Sequence, residues 1–246
     1  MIRSPLLLLA LAMALTACGK TSGEPVEVAV IGEPSSPFQT GARLPMAGQL
    51  VRSATAEGLV GFDEQGRVIP ALADRWIVTD DGQSYIFRLR DGTWADGSPI
   101  TGESARASLL AAIAALRATP LGEDLKIIAE VRAMAGRVVE IRLVEPLPEM
   151  LQLLAQPELG LVRRGKGAGP MKLTRKGSQA VLTPIPPEER GLPPLADWKA
   201  RSRPVHLRAL SAQDAIHRFD AGEVAVVLGG MKQRVMIAMA LAGEPR

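Results

Sequence analysis

The sequence predicts a mixed α/β fold, α+β in its ordering, built on a mixed β-sheet. Three observations lead there. Short β-branched or alternating runs recur along the chain, as where Tyr85, Phe87 and Leu89 alternate with Arg88 and Arg90. Other segments carry apolar residues at helical spacing, as in Ala105, Leu109, Ile113 and Leu116. The two kinds of segment follow one another without strict alternation, which argues against an all-parallel doubly wound sheet.

In chain order, Val26 to Ile31 is a β-branched run ending in Gly32-Glu33-Pro34, a strand that leads into a loop. Met46, Leu50, Val51 and Ala54 make a helix that stops near Gly58. Phe62 to Arg67 centres on turn residues, and Asp80-Asp81-Gly82 joins a strand at Arg75 to Thr79 to one at Ser84 to Arg90. Thr101 is placed to cap a helix whose first turn holds Glu103. The spacing predicts a second helix from about Gly122 to Met134, a strand at Val138 to Val144 and a short helix at Glu149 to Ala155. Lys176-Gly177-Ser178 reads as the turn of a hairpin between Met171 to Thr174 and Ala180 to Ile185. Six prolines punctuate a polar loop from Pro184 to Pro204. A strand (Val205 to Leu210), a helix (Ala212 to Ala221) and a strand (Val224 to Leu228) follow.

Composition excludes several classes. With 47% hydrophobic and 22% charged residues, the chain is neither disordered nor fibrous. Twenty-nine basic against 26 acidic residues leave a net charge of +3, and aromatics make up 3%, so no nucleic-acid footprint is present. The basic stretch Arg163, Arg164, Lys166, Lys172, Arg175 and Lys176 reads as solvated loop and strand edge. One cysteine, Cys18, permits neither an intramolecular disulfide nor a cysteine-based zinc site. His206 and His217 have no adjacent carboxylate cluster and read as structural polar residues, so neither a metal nor a cofactor is expected.

The N-terminus reads as a processing signal. Arg3 precedes ten apolar residues from Leu6 to Leu15, too few to span a bilayer. Leu15-Thr16-Ala17-Cys18 resembles the bacterial lipobox, which implies cleavage before Cys18 and acylation of its thiol and new amine. Ala14 to Thr21 also fits a relaxed nucleotide P-loop pattern, but no strand precedes it and no helix follows, so it is read as coincidence.

From Glu57 to Ile113 a denser pattern appears. Pro70, Leu72, Ala73 and Trp76 lead into Asp80-Asp81-Gly82, then Tyr85, Phe87, Leu89 and Arg90. Asp96, Gly97, Pro99, Ile100, Thr101 and Glu103 complete the run. In order and spacing these residues resemble the extracellular solute-binding proteins of family 5, the peptide, dipeptide and nickel receptors of ABC importers. Gly167 to Leu173 and Ala221 to Val224 continue the resemblance more weakly, with Met171 where an aromatic is usual and Ala225 where the family has Asp. Read physically, Trp76, Tyr85 and Phe87 are core residues of a sheet.

The resemblance implies a periplasmic-binding-protein-like class II lobe, present incompletely, from a two-lobed receptor that closes on its ligand. It implies a peptide or similar small solute, permease subunits of the importer as partners, and no catalysis. Candidate ligand contacts are Glu33, Ser35 and Ser36 in the loop after the first strand, and Glu57; ordinary loop or helix-end roles stand beside that reading. Residues 229–246, from Gly229-Gly230-Met231 to Arg246, resemble the signature motif of the ATP-binding subunit of such importers, with Leu228 in the serine's place. The expected organisation is therefore a signal over 1–17, a tether over 18–25, a partial solute-binding domain over 26–228, and a tail joined from a neighbouring gene or contig. A periplasmic, lipid-anchored location follows from the leader; a non-binding lipoprotein fragment, or a piece of the ATPase, are the alternatives.

Overall fold

The computed structural model describes residues 23–229; the signal, Cys18 and the ATPase-like tail from Gly230 onward lie outside the described residues. Strand β1 (Val26–Ile31) runs through the middle of a five-stranded sheet. Both its neighbours are parallel to it, β12 (Val205–Leu210) on one side and β13 (Val226–Leu228) on the other. The hairpin of β10 (Met171–Lys176) and β11 (Gln179–Pro184) extends the sheet antiparallel beyond β12, so the sheet is mixed.

Successive residues of a strand point to opposite faces. Val30 packs on one face with Ala47 and Val51 of helix α1 (Met46–Thr55), Leu182 and Leu207. Ala29 packs on the other with Val227 and with Ala215 of helix α6 (Ala212–Asp220). Sandwiched between helices, β1 must be apolar on both faces, and its β-branched run supplies that.

A second unit is an antiparallel sheet in the order β4 (Ala73–Val78), β5 (Ser84–Leu89), β7 (Val138–Leu143), β6 (Ile128–Met134). Its inner face presents Phe87, Leu89, Val139 and Ile141. These pack against Leu109 and Leu116 of α2 (Gly102–Leu116) and Met150 and Leu154 of α4 (Met150–Leu154). Tyr85 and Phe87 are buried and Trp76 half-buried, as the core reading of these aromatics expects. Thr101 caps α2 reciprocally: its hydroxyl accepts from Ser104 N–H at 3.1 Å, and Ser104 Oγ accepts from Thr101 N–H at 2.9 Å.

Two expectations change. The helix predicted over Gly122 to Met134 is one short turn, α3 (Pro120–Asp124), then a 3-10 turn to Ile127 and strand β6. Ile127, Ile128 and Val131 are β-branched, and Gly136 at φ 70° closes a hairpin that pairs the segment with β7. Arg90, read as the outward partner of Leu89, is 7% exposed because the pleat ends at Leu89 and the side chain turns inward.

The two units meet at the end of α1. Gly169 N–H donates to Thr55 O at 2.9 Å, and a Cβ on Gly167 would fall on Thr55 O and within 2.6 Å of Ala56 Cα. Backbone on both sides cannot yield, so we expect Gly167→Ala to cost about 1–3 kcal/mol in urea denaturation. Gly61→Ala, where the nearest atom is Ala71 Cβ at 3.8 Å, should cost well below that.

Candidate functional site

The loop after β1 leaves the sheet at the carboxyl ends of its parallel strands, the edge where open α/β sheets present ligands. Gly32 N–H donates to Leu210 O at 2.9 Å, which holds the loop beside β12. Glu33 and Ser35 are exposed there. Ser36 is 3% exposed, and its hydroxyl has no hydrogen-bond partner among the described residues. Its carbonyl abuts Gly48 of α1, at 3.1 Å from where a Cβ would stand.

Glu57 lies elsewhere. It follows α1 at the junction of the units, whereas the loop abuts Gly48, and from Gly48 to Thr55 the helix rises about 10 Å. The structure therefore does not bring it together with the loop. Its two carboxylate oxygens are both engaged, Oε2 by Arg90 Nη2 at 2.7 Å and Oε1 by Arg190 Nη2. Arg90 spends its remaining donors on Arg190 O, at 3.1 Å, and on Ala71 O. Burial pulls the Arg190 guanidinium below its usual pKa, Glu57 opposing and the like charge of Arg90 adding to the fall. Neither arginine was singled out from the sequence as a partner of Glu57.

At the other end of α1 a trough of about 540 Å³ opens between the units. Arg43 and Gln49 come from the start of α1 and the segment before it, Thr119 and Asp124 from the turn around α3, and Gln156 and Glu158 from the segment after α4. Leu44, Leu116, Leu121 and Leu153 supply the apolar part of the lining. Arg43 Nη2 donates to Ala118 O at 3.0 Å, fastening one wall to the other. A smaller hollow of about 180 Å³ adjoins it, sharing Ala42, Leu116 and Glu158 and lined also by Arg52 and Ser108. Arg52 Nη1 donates to Gly41 O at 3.0 Å, while its Nε is buried without a partner among the described residues. Burial lowers the Arg52 pKa and Glu158 opposes the fall.

The trough is amphoteric: Arg43 stands with Asp124 and Glu158, flanked by amides and leucines, and Arg52 lines the adjoining hollow. Such a lining suits a small solute bearing both charges. Among the described residues, no group of three or more His, Cys, Asp or Glu is placed to hold a metal ion. His206 Nδ1 lies 2.6 Å from Glu27 Oε1, a polar contact between neighbouring strands. In the basic stretch, Arg163 and Arg164 approach Asp96 at 3.9 and 3.4 Å, and Arg175 lies over the Phe38 ring at 4.3 Å. The Ser98 hydroxyl and N–H, then the two arginines, hold the Asp96 carboxyl below the usual range.

Comparison with known proteins agrees with this architecture. The model of the bacterial extracellular solute-binding proteins, family 5 Middle, matches residues 67–180. The probable deoxycholate-binding periplasmic protein YgiS of Escherichia coli K12 is 36% identical over 121 residues, which are 42% of this chain and 23% of that protein. The glutathione-binding protein GsiB of the same strain is 27% identical over 186 residues, 74% of this chain and 35% of the relative. Among solved structures, Haemophilus influenzae OppA in complex with RPPGFSPFR superposes with a TM-score of 0.68 at 18% identity, over 91% of this chain and 50% of that one. The binding protein AgaA from A. tumefaciens R10, in complex with agropinic acid, gives 0.66 at 21% identity over 82% and 43%. The chain thus spans half or less of the length of these relatives, and its fold is that of the class II periplasmic binding proteins.

Breaking a buried ion pair by removing one partner leaves an uncompensated charge, at about 3–5 kcal/mol. We expect Glu57→Gln to lose stability on that scale in urea denaturation. Adding Arg90→Met to the same chain should restore part of the loss, and a single-variant loss below about 1 kcal/mol would show that solvent replaces Glu57.

Proposed function

We propose, from the match of residues 67–180 to the model of the bacterial extracellular solute-binding proteins of family 5, that the chain is the substrate-binding component of an ABC importer for peptides or related solutes. It works outside the cytoplasm, held to a membrane by lipid on Cys18. Its task is binding and release, with no bond made or broken. Two of the relatives above are described as binding glutathione or a peptide, compounds that carry ammonium and carboxylate groups together.

The amphoteric trough is the observation that supports this reading best. At about 540 Å³ it lies within the roughly 300–1,000 Å³ usual for small-ligand sites. Arg43 meets a solute carboxylate by charge-assisted hydrogen bonds, Asp124 and Glu158 meet its ammonium, and the leucines take an apolar side chain. Glu33 and Ser35 stand as further contacts at the carboxyl edge of β1, with Ser36 beneath them. Glu57 has both oxygens occupied, so in this reading it acts by holding Arg90 and Arg190. In the proposed cycle a second lobe closes over the trough and the permease subunits receive the closed receptor.

Isothermal titration of the purified chain with glutathione and with Ala-Ala should give saturable binding. The N-acetylated, C-amidated dipeptide should bind far more weakly, and Arg43→Ala should weaken Ala-Ala by about fivefold, the worth of ~1 kcal/mol at an exposed charge. Equal binding of the capped and free dipeptides would overturn the assignment of the trough.

Acylation is tested separately. In cells fed radiolabelled palmitate, the wild-type chain should take up label and sediment with membranes, and Cys18→Ser should do neither. Label persisting in Cys18→Ser would remove the anchor from the proposal.

A further inference from the structure

A second cavity, of about 560 Å³, lies at the opposite end of α1 from the trough and shares no lining residue with it. Thr55, the last residue of α1, forms part of its wall. Arg90 and Trp94 enter from the antiparallel unit, Met171 and Lys172 from β10, Lys166 from the connector between units, and Arg190 from the proline-rich loop. Four of the lining residues are cationic, Arg90, Lys166, Lys172 and Arg190, and one, Glu189, is acidic. Glu57 is spent on the two arginines, so two acids stand against four cations and a surplus of two positive charges faces the cavity. Lys166 and Lys172 are exposed and make no ion pair among the described residues. Arg190 Nε is buried without a hydrogen-bond partner among the described residues, although Nη2 of the same guanidinium is paired. Beside these charges Trp94, 2% exposed, joins Ile100, Met171, Leu173 and Ile185 in an apolar wall.

We propose that this cavity is a second ligand site, distinct from the trough, for a compact organic anion: a carboxylate on an aromatic or alicyclic body. The body lies on Met171, Leu173 and Ile185, the accessible part of the apolar wall, and the carboxylate meets Lys166 and Lys172 at the mouth with Arg190 behind them. An uncharged ligand of the same shape gains the apolar contact but leaves the surplus of positive charge uncompensated. A zwitterion brings an ammonium into a cationic pocket, where like charges repel. The site therefore selects the opposite class of solute from the amphoteric trough. Because the lining comes from both units, an occupant also fixes one unit against the other, and a ligand bound only by the folded chain raises its melting temperature.

The test uses the full chain and 2-naphthoate, with 2-naphthamide as its neutral isostere. Calorimetry should show saturable 2-naphthoate binding that weakens as salt rises, with 2-naphthamide at least tenfold weaker. Lys166→Glu/Lys172→Glu, two exposed positions away from the buried ion pairs, should lose 2-naphthoate binding by at least tenfold while its melting temperature without ligand stays that of the wild type. Arg43→Ala, in the trough, should leave 2-naphthoate binding unchanged, which separates this proposal from the reading of the trough. Equal affinity for acid and amide, an unchanged affinity in the double lysine variant, or a loss on Arg43→Ala would each overturn it.

Discussion

The carboxylate of Glu57, shared between Arg90 and Arg190, is the contact on which the arrangement of the molecule depends. The three residues come from the end of α1, the end of β5 and the proline-rich loop, segments that share no secondary structure. Around them the chain passes between its two sheets. Glu57 O accepts from Leu161 N–H at 2.8 Å, Leu59 O from Ala73 N–H at 2.9 Å, and Gly167 and Gly169 lie directly on Thr55 and Ala56. Arg90 Nε fastens Arg190 by its carbonyl, and Gly191, at φ 72°, fits against Asp91 O where no side chain could stand. Burying three charges costs several kcal/mol per ion, offset only where the hydrogen-bonding groups are met. Arg90 meets that condition with three acceptors; Arg190, with Nε unpartnered among the described residues, does not. What the cluster supplies is placement: it sets α1 across both units, and both cavities open at α1's ends.

The parts of this architecture that can be read from sequence are those whose cause is local. β1, β5 and β7 announce themselves by β-branching or by period-two alternation, and α2 by its stripe and by Thr101. Where tertiary pairing decides, local reading fails. Gly122 to Met134 carries residues that a helix tolerates, and only the partner strand β7 makes most of it a strand. Arg90 continues the alternation of β5 on paper, and acceptors distant in sequence, an acid thirty-three positions earlier among them, hold it inward. The loop after β1 was legible as a candidate because a strand ending in Gly-Glu-Pro must turn. The trough was not, because Arg43, Gln49, Asp124 and Glu158 come from separate segments that share no motif. Thr119-Pro120, a helix-start signal, is the one local mark near it.

The two cavities differ in a way that follows from their position on α1. At its start the helix faces the turn around α3, which brings Asp124, and the segment after α4, which brings Glu158, so Arg43 is balanced by acids. At its end it faces the connector and β10, which bring Lys166 and Lys172, and of the two acids there Glu57 is already bound, leaving Glu189. One helix of ten residues thus separates an amphoteric surface from a cationic one.

The trough lies open to solvent along one side, and that governs what its charges can achieve. Unit charges 4 Å apart attract by about 1 kcal/mol in water and about 4 kcal/mol at the effective dielectric of a protein surface. A solute on an open wall gains near the lower figure, screened further by salt within a Debye length of about 8 Å. A second surface laid over the same groups excludes water and strengthens each contact without adding a residue. Arg43 and Asp124, placed to meet opposite ends of a solute, gain most from such closure. Their present exposure lets the solute enter and leave; covering is what converts a weak encounter into retention.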